Sequence, residues 1–185
     1  MHCSGVATEV RKLVEIVKKV NPRVRVAATR KTLPGLRHFE KKAVAIGGGD
    51  THRLSLSDAI LIKDNHIRII GGVEEAVKLA KARASFAHKV EVEVSTVDEA
   101  VKAAEAGADI VMLDNMPPQE VAKAVDELRR RGLREKVVIE VSGGITAENI
   151  AEYAKLDVDV ISCGYITLSA KALDMSLEVV EVIRR

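Results

Sequence analysis

Five cationic side chains lie at or near the carboxyl ends of short apolar runs, where they could act together on one ligand. The set comprises Arg30, Lys31, His52, Arg53 and Lys63. Any one of them alone is more often a solvated surface residue, but Lys63 ends the apolar run Ala59–Ile62, where an unpaired charge is costly. Several cations at one place suit a ligand with more than one anionic group, because each can form a charge-assisted hydrogen bond.

Two carboxylates, Glu93 and Asp114, form a second candidate group. Glu91 and Glu93 alternate in "VEVEV" and so share one face of a strand, and Asp114 ends the next apolar run. Neighbouring carboxylates repel unless a proton or a cation lies between them. A partly hydrated magnesium ion shared with a phosphate would satisfy Glu93 and Asp114. An internal salt bridge from Glu93 to Lys63 is the alternative.

Small residues follow the last two apolar runs. They are Ser142, Gly143 and Gly144 after one run and Gly164 after the other. Glycines let the backbone come close to a ligand, although they also form ordinary turns. In α/β barrels a phosphate site commonly forms at the last two strands, which makes these residues candidates for phosphate binding.

Short apolar runs alternate with segments of helical periodicity. The runs are Val24–Ala28, Ala59–Ile62, Val90–Val94, Asp109–Leu113, Val137–Val141 and Val158–Ile161. Helical spacing of apolar residues marks 10–20, 73–80, 97–104 and 121–128. Runs that are apolar on nearly both faces are typical of parallel strands covered on both sides by helices.

The carboxyl ends of these runs favour a barrel over an open sheet. Nearly every run delivers a charged residue or a glycine there, and in a barrel all those ends meet at one mouth. In an open sheet they would be spread along an edge with a single crevice. Six runs are fewer than eight, and 185 residues are fewer than the roughly 250 of a full barrel. The sequence therefore predicts an incomplete TIM-like α/β barrel of about six to seven strands.

Composition limits the number of domains, the kinds of partner and the cellular location that the sequence predicts. A chain of 185 residues with 47% hydrophobic residues suits one domain, 1–185. The 29 basic and 27 acidic residues nearly cancel, so we expect no nucleic-acid and no membrane partner. Cys3 and Cys163 lack metal-binding or disulfide spacing, which indicates a reducing, cytoplasmic location.

Taken together, the motifs resemble the barrel domain of the quinolinate phosphoribosyltransferases, also called carboxylating nicotinate-nucleotide pyrophosphorylases. The matching segments, in order, are "TRKTLPGLR", "GGGDTHRLSLSDAILIKDNHI", "VEVEVSTVDEA", "AGADIVMLDNM", "VSGGITAENI" and "DVISCGYIT". The resemblance extends from "CSGVAT" at Cys3–Thr8 to the C-terminus, and its first two blocks are long and specific.

The resemblance implies transfer of phosphoribose from phosphoribosyl pyrophosphate to quinolinate, giving nicotinate mononucleotide, pyrophosphate and carbon dioxide in NAD biosynthesis, with Mg²⁺. By the same resemblance the cations Arg30, Lys31, His52, Arg53 and Lys63 would hold the quinolinate carboxylates. Glu93 and Asp114 would face the ribose and bind the metal–pyrophosphate directly or through water, and with Lys63 they would be the catalytic residues. Ser142, Gly143, Gly144 and Gly164 would hold the 5′-phosphate.

The family also implies an amino-terminal α/β domain before the barrel, which we expect to be absent from this chain. That domain carries an arginine that reaches the partner's site in a dimer, so weak activity is expected of the chain alone. We further expect a homo-oligomer, a dimer or a multiple of dimers, because the apolar stripe of Glu9–Val20 would be left exposed.

Three alternatives remain open at this point. One is a related phosphoribosyltransferase that acts on a different acid. Another is an aldolase with Lys63 as Schiff-base nucleophile, which leaves Glu93 and Asp114 without a role. The third is a truncated, catalytically weak or inactive barrel subunit that binds ligand without turnover.

Overall fold

Six parallel strands form one continuous sheet in a computed structural model of the chain, which describes residues 1–183. The order across the sheet is β1-β6-β5-β4-β3-β2. The strands are β1 (Arg25–Ala28), β2 (Ile60–Ile62), β3 (Val90–Val94), β4 (Ile110–Asp114), β5 (Val138–Ser142) and β6 (Val160–Cys163). Each predicted run matches a strand to within two residues at either end, so the predicted strands are confirmed.

Helices follow or precede the strands and cover the outside of the sheet. They are α1 (His2–Val20), α2 (Arg37–Ile46), α3 (Asp64–Ile70), α4 (Val73–Arg83), α5 (Val97–Glu105), α6 (Pro118–Arg130), α7 (Ile150–Ala154) and α8 (Tyr165–Leu168), with a short 3-10 turn at Arg134–Lys136. The four segments with helical periodicity are α1, α4, α5 and α6. Helix α2 was not predicted because two of its four buried residues, Glu40 and Lys41, are charged and interrupt the apolar period.

The barrel is open between its first two strands. Although β1 and β2 are consecutive in the chain, they lie at opposite edges of the sheet and do not pair. Residues 47–59 pass through the gap: Asp50 pairs with Ala27 at the edge of β1, and an Arg53 guanidinium nitrogen donates to the carbonyl of Ala59 at 3.3 Å beside β2. The predicted incomplete TIM-like barrel is confirmed. It has six strands, and residues 47–59 occupy the gap between β1 and β2 where strand pairing would otherwise close the barrel.

The triple glycine before His52 has a packing role. A Cβ on Gly47 would lie 2.6 Å from the carbonyl oxygen of Ala7, and one on Gly49 would lie 2.7 Å from a Val10 methyl group. Both contacts are with α1, so the glycines let the segment lie directly on that helix. They therefore fix the path that leads to His52 rather than making it loose.

The apolar stripe of α1 is buried within the chain. Val10, Leu13, Val14 and Val17 are at most 4% exposed, and Val20 is the exposed member of the stripe at 38%. The helix packs on β1, α2 and α7, beside the opening in the barrel. The prediction that this stripe is exposed is wrong, because the helix covers part of its own barrel's outer face.

Several exposed apolar side chains lie near the end of the described part of the chain. Residues 170–183 form no helix or strand; the backbone N–H of Leu173 donates to the carbonyl of Met1 at 3.2 Å, which anchors the start of the segment on α1. Beyond this contact Leu177 and Val180 are almost fully exposed. Among the described residues, no helix is both long and apolar enough to cross a membrane.

Candidate active site

One cavity of about 680 Å³ opens at the carboxyl ends of the strands. Its lining contains all eleven residues singled out in the sequence: Arg30, Lys31, His52, Arg53, Lys63, Glu93, Asp114, Ser142, Gly143, Gly144 and Gly164. They come from the ends of all six strands and from the segment between β1 and β2. The convergence of strand ends expected for a barrel thus brings the candidate residues together.

The two-residue repeat of the strands decides which side chains reach this cavity. In β4 and β5 the alternate residues Met112, Asp114, Glu140 and Ser142 line it, whereas Leu113 and its equivalents are buried against the helices. The side chains that point from the strands toward the helices are consequently apolar, and those at the inner mouth of the barrel are polar. This polarity is what a ligand with several charged groups requires.

The cationic side of the cavity has donors without partners. The Nε atoms of Arg30 and Arg53 are buried and have no hydrogen-bond partner among the described residues. Burial, followed by the charges of Arg37 and Arg53, lowers the pKa of Arg30. Arg37 also shapes the loop, donating to the hydroxyl of Thr32 at 3.0 Å and to the carbonyl of Arg30 at 3.3 Å. A bound anion would satisfy both free donors and reduce the repulsion between the arginines.

His52 is held from both ring nitrogens. Its backbone adopts a positive φ of 52°, and its N–H donates to a carboxylate oxygen of Asp50 at 2.8 Å. The ring atom Nε2 lies 3.1 Å from Glu140, and Nδ1 accepts the backbone N–H of Arg53 at 2.7 Å. The imidazole therefore links the buried interior of the barrel to the position of Arg53.

The protonation state of His52 follows from these contacts. Burial disfavours the charged ring, but hydrogen bonds and charges from Glu140 and Glu91 outweigh burial and raise the pKa of His52 to about 10. The backbone N–H of Arg53 points at Nδ1 and fixes the orientation of the ring. The two buried carboxylates next to Nε2 favour the charged form of the ring.

Three buried or half-buried groups lie together beneath the cavity. His52, Glu91 and Glu140 present ligand atoms within 4.8 Å of one another. Nε2 of His52 lies 3.1 Å from Glu140 and 3.6 Å from Glu91, and neither oxygen of Glu91 has a hydrogen-bond partner among the described residues. A charged His52 between two buried carboxylates therefore stabilises this cluster by charge.

Lys63 and Glu93 form an ion pair in this structure, Nζ to Oε2. The internal salt bridge considered in the sequence is thus present. Asp114 lies beside the pair and accepts a hydrogen bond from the amide of Asn115 at 2.5 Å. Burial and then the negative charge of Glu93 raise the pKa of Asp114, which indicates that one lysine does not fully compensate the two carboxylates.

The loop after β5 brings backbone close to the cavity. Gly143 and Gly144 have φ values of 92° and 61°, in the left-handed region that favours glycine. A Cβ on Gly143 would lie 2.3 Å from the side-chain oxygen of Asn115 and 2.8 Å from its backbone nitrogen. Gly143 is therefore required by the close approach of β4 and β5, whereas the space around Gly144 is open.

Several residues of the cavity were missed in the sequence. Asn115, Glu140 and Ser162 also line it, and Ser162 has a buried hydroxyl without a partner. Asn115 has a positive φ of 54° and directly follows a strand, a position at which asparagine signals a special turn. Glu140 stands two residues before Ser142, so strand alternation places it on the same face.

These features define an α/β-barrel protein with a cavity at the carboxyl ends of its strands that is lined by cationic side chains, carboxylates and glycines. Residues 6–178 match the family model described as "Quinolinate phosphoribosyl transferase, C-terminal domain". The chain therefore belongs to the quinolinate phosphoribosyl transferase family and corresponds to its C-terminal domain.

Known proteins agree with this assignment. A protein of Archaeoglobus fulgidus named "Probable nicotinate-nucleotide pyrophosphorylase [carboxylating]" is 62% identical over 98% of this chain. The human nicotinate-nucleotide pyrophosphorylase [carboxylating] is 44% identical over 96% of it. The crystal structure of NadC from Streptococcus pyogenes superposes with a TM-score of 0.88 at 43% identity and covers 96% of the chain. The chain spans 69%, 59% and 60% of these three proteins, respectively.

Proposed function

We propose that this barrel carries the site that transfers phosphoribose from phosphoribosyl pyrophosphate to quinolinate, with decarboxylation to nicotinate mononucleotide. The observation that carries the proposal is that one cavity holds both the guanidinium groups of Arg30 and Arg53, whose Nε donors lack partners among the described residues, and the carboxylates Glu93 and Asp114. A pyridine dicarboxylate matches the cationic side, and a phosphorylated sugar matches the side with the carboxylates and the glycine loop. Relatives named as carboxylating nicotinate-nucleotide pyrophosphorylases support the same reaction.

In this proposal each group of cavity residues has a part in the reaction. The departure of pyrophosphate leaves positive charge on the ribose ring, as in glycoside transfer, and Glu93 and Asp114 are placed to stabilise that charge. The cations, Lys63 among them, hold the acid so that its ring nitrogen faces the ribose. Ribosylation of that nitrogen lets the ring accept the electrons released when the 2-carboxylate leaves as carbon dioxide.

We propose Mg²⁺ as the cofactor. Glu93 and Asp114 offer the hard oxygen ligands that this ion prefers, and the raised pKa of Asp114 marks negative charge that a cation would stabilise. When bound, the ion would neutralise charge on the departing pyrophosphate. Glu93 and Asp114 would hold it directly or through water, with Lys63 released from its ion pair toward the quinolinate.

Lys63→Ala should weaken quinolinate binding at least tenfold, about 1.4 kcal/mol, because it removes a cation from the acid-binding side. Isothermal titration of the chain with quinolinate measures this, with nicotinate as a second ligand that lacks one carboxylate. Lys42→Ala, an exposed lysine on α2, is the control for loss of one positive charge. Equal quinolinate affinity in Lys63→Ala and the parent chain would contradict the assignment, and tighter binding of nicotinate would favour a related enzyme that acts on another acid.

We also propose that the protein is cytoplasmic and forms a homo-oligomer, most simply a two-fold dimer. The free thiols of Cys3 and Cys163 suit a reducing compartment. Exposed apolar residues in 168–183, such as Leu177 and Val180, support association. Sedimentation velocity should give a dimer or a multiple of it, and Leu177→Ser with Val180→Ser should shift the distribution toward monomer. A monomer at all concentrations would contradict this proposal.

A further inference from the structure

Lys41 is a buried lysine that lies behind the cationic side of the cavity without lining it. It stands on α2, is 3% exposed, and donates from Nζ to the backbone carbonyl of Thr51. Thr51 directly precedes His52 and Arg53. The lysine therefore holds the backbone from which two of the candidate ligand-binding residues project.

The charges around Lys41 are mostly of its own sign. Arg37 on the same helix, Arg30 after β1 and Arg53 in the segment between β1 and β2 all repel it. Asp50 attracts it through its charge but without a hydrogen bond. The acidic neighbour on its helix, Glu40, is engaged elsewhere, by the ring of His2 at 2.6 Å and the N–H of Leu33 at 3.1 Å. A charged Lys41 thus shares a poorly compensated cluster with Arg30 and Arg53, whose Nε donors lack partners.

We propose that Lys41 couples anion binding to proton uptake, so that a dicarboxylate bound by Arg30 and Arg53 brings a proton onto its Nζ. The proposal deepens the proposed function, since the anion it concerns is the acid substrate of the same cavity. In the free protein Lys41 can shed its proton and relieve the repulsion, while one of its two remaining N–H groups still donates to the carbonyl of Thr51. When two carboxylates arrive, the cluster gains negative charge and the ammonium form becomes the stable one.

The direction of the effect follows from the state of the free protein. Burial and then the charge of Arg37 lower the pKa of Lys41 to about 8. Anion binding raises that pKa toward the ordinary lysine value of about 10.4. Between these values the complex holds more protons than the free protein, so affinity falls with rising pH by up to about tenfold per unit. Near pH 6.5 the lysine is charged in both states and no uptake is expected.

Calorimetry measures the proton directly. Quinolinate is titrated into the chain at pH 8.5 in Tris, Tricine and HEPES, whose ionisation enthalpies differ. The slope of the observed enthalpy against buffer enthalpy gives the protons taken up for each molecule bound. We expect an uptake of at least half a proton at pH 8.5 and none at pH 6.5.

Two variants assign the proton to Lys41. Lys41→Arg retains a charge that does not titrate in this range, and Lys41→Met retains none, so both should lose the uptake at pH 8.5. Lys42→Met removes the charge of the exposed neighbouring lysine and should retain the proton uptake at pH 8.5. The comparison also separates Lys41 from His52, because a proton on His52 would persist in both Lys41 variants.

A second measurement does not depend on the identity of the substrate. The titration of Lys41 is followed by NMR with ¹³Cε-labelled lysine, assigned by the signal missing in Lys41→Arg, with and without sulfate as a simple anion. We expect the midpoint to move upward by at least one pH unit on adding sulfate or quinolinate. A shift with sulfate but no binding of quinolinate would leave the role of Lys41 standing and refute the proposed function. An unchanged midpoint with a bound anion, or undiminished uptake in both Lys41 variants, would overturn the inference.

Discussion

Glu93→Gln and Asp114→Asn should each lower the turnover of quinolinate about 100-fold, about 2.7 kcal/mol, while changing its affinity less than threefold. Both carboxylates line the same cavity as the arginines, and in the proposed reaction positive charge develops on the ribose beside them. An amide keeps the shape and a hydrogen-bonding oxygen but not the charge. The loss should therefore appear in the chemical step rather than in binding of the acid.

Pyrophosphate release with phosphoribosyl pyrophosphate, quinolinate and saturating Mg²⁺ measures this effect. The assay is made on the chain alone and with the family's amino-terminal domain added as a separate polypeptide. Glu135→Gln, an exposed carboxylate in the 3-10 turn, is the control for loss of one negative charge. Parent-like turnover in both site variants would mean that Glu93 and Asp114 are structural partners of Lys63, as in the ion pair of the free site.

Arg30→Met should weaken quinolinate binding about 100-fold and, at the same time, raise the urea midpoint of the free protein. The affinity falls because a buried charged donor to a carboxylate is lost, an effect of about 2.7 kcal/mol. The stability rises because the Nε of Arg30 has no partner and its charge is repelled by Arg37 and Arg53. A residue whose role is to bind a ligand is expected to lower the stability of the ligand-free protein in this way.

Titration calorimetry and urea unfolding without ligand test the two halves separately. Lys42→Met is the control, since it removes an exposed charge from α2 and should change neither quantity appreciably. Weaker binding together with a lower urea midpoint would show that Arg30 is chiefly a structural residue. Unchanged binding would remove Arg30 from the acid-binding side.

The sequence by itself determined the strands and their ends. The six β-branched runs are long enough and apolar enough to be strands in any arrangement, and the residue types after them mark the cavity. Alternation then predicted that Glu93 shares a face with Glu91, because the side-chain repeat of a strand is a local property of its backbone, and Asp114 was found as the end of the next run. The resemblance to the family rests on these same segments, and the family match over residues 6–178 confirms it.

Only the tertiary structure decided how the elements close around the site. Nothing local to β1 or β2 indicates that they lie at opposite sheet edges, with Asp50 and Arg53 bridging the gap. The stripe of α1 is equally apolar whether it faces a partner or its own barrel, so its burial depends on which surface lies opposite. Charged Lys41 reads as a surface residue in the sequence and is buried beside three arginines in the fold. In each case the deciding contacts join residues far apart in the chain, whereas periodicity reports only on neighbours along it.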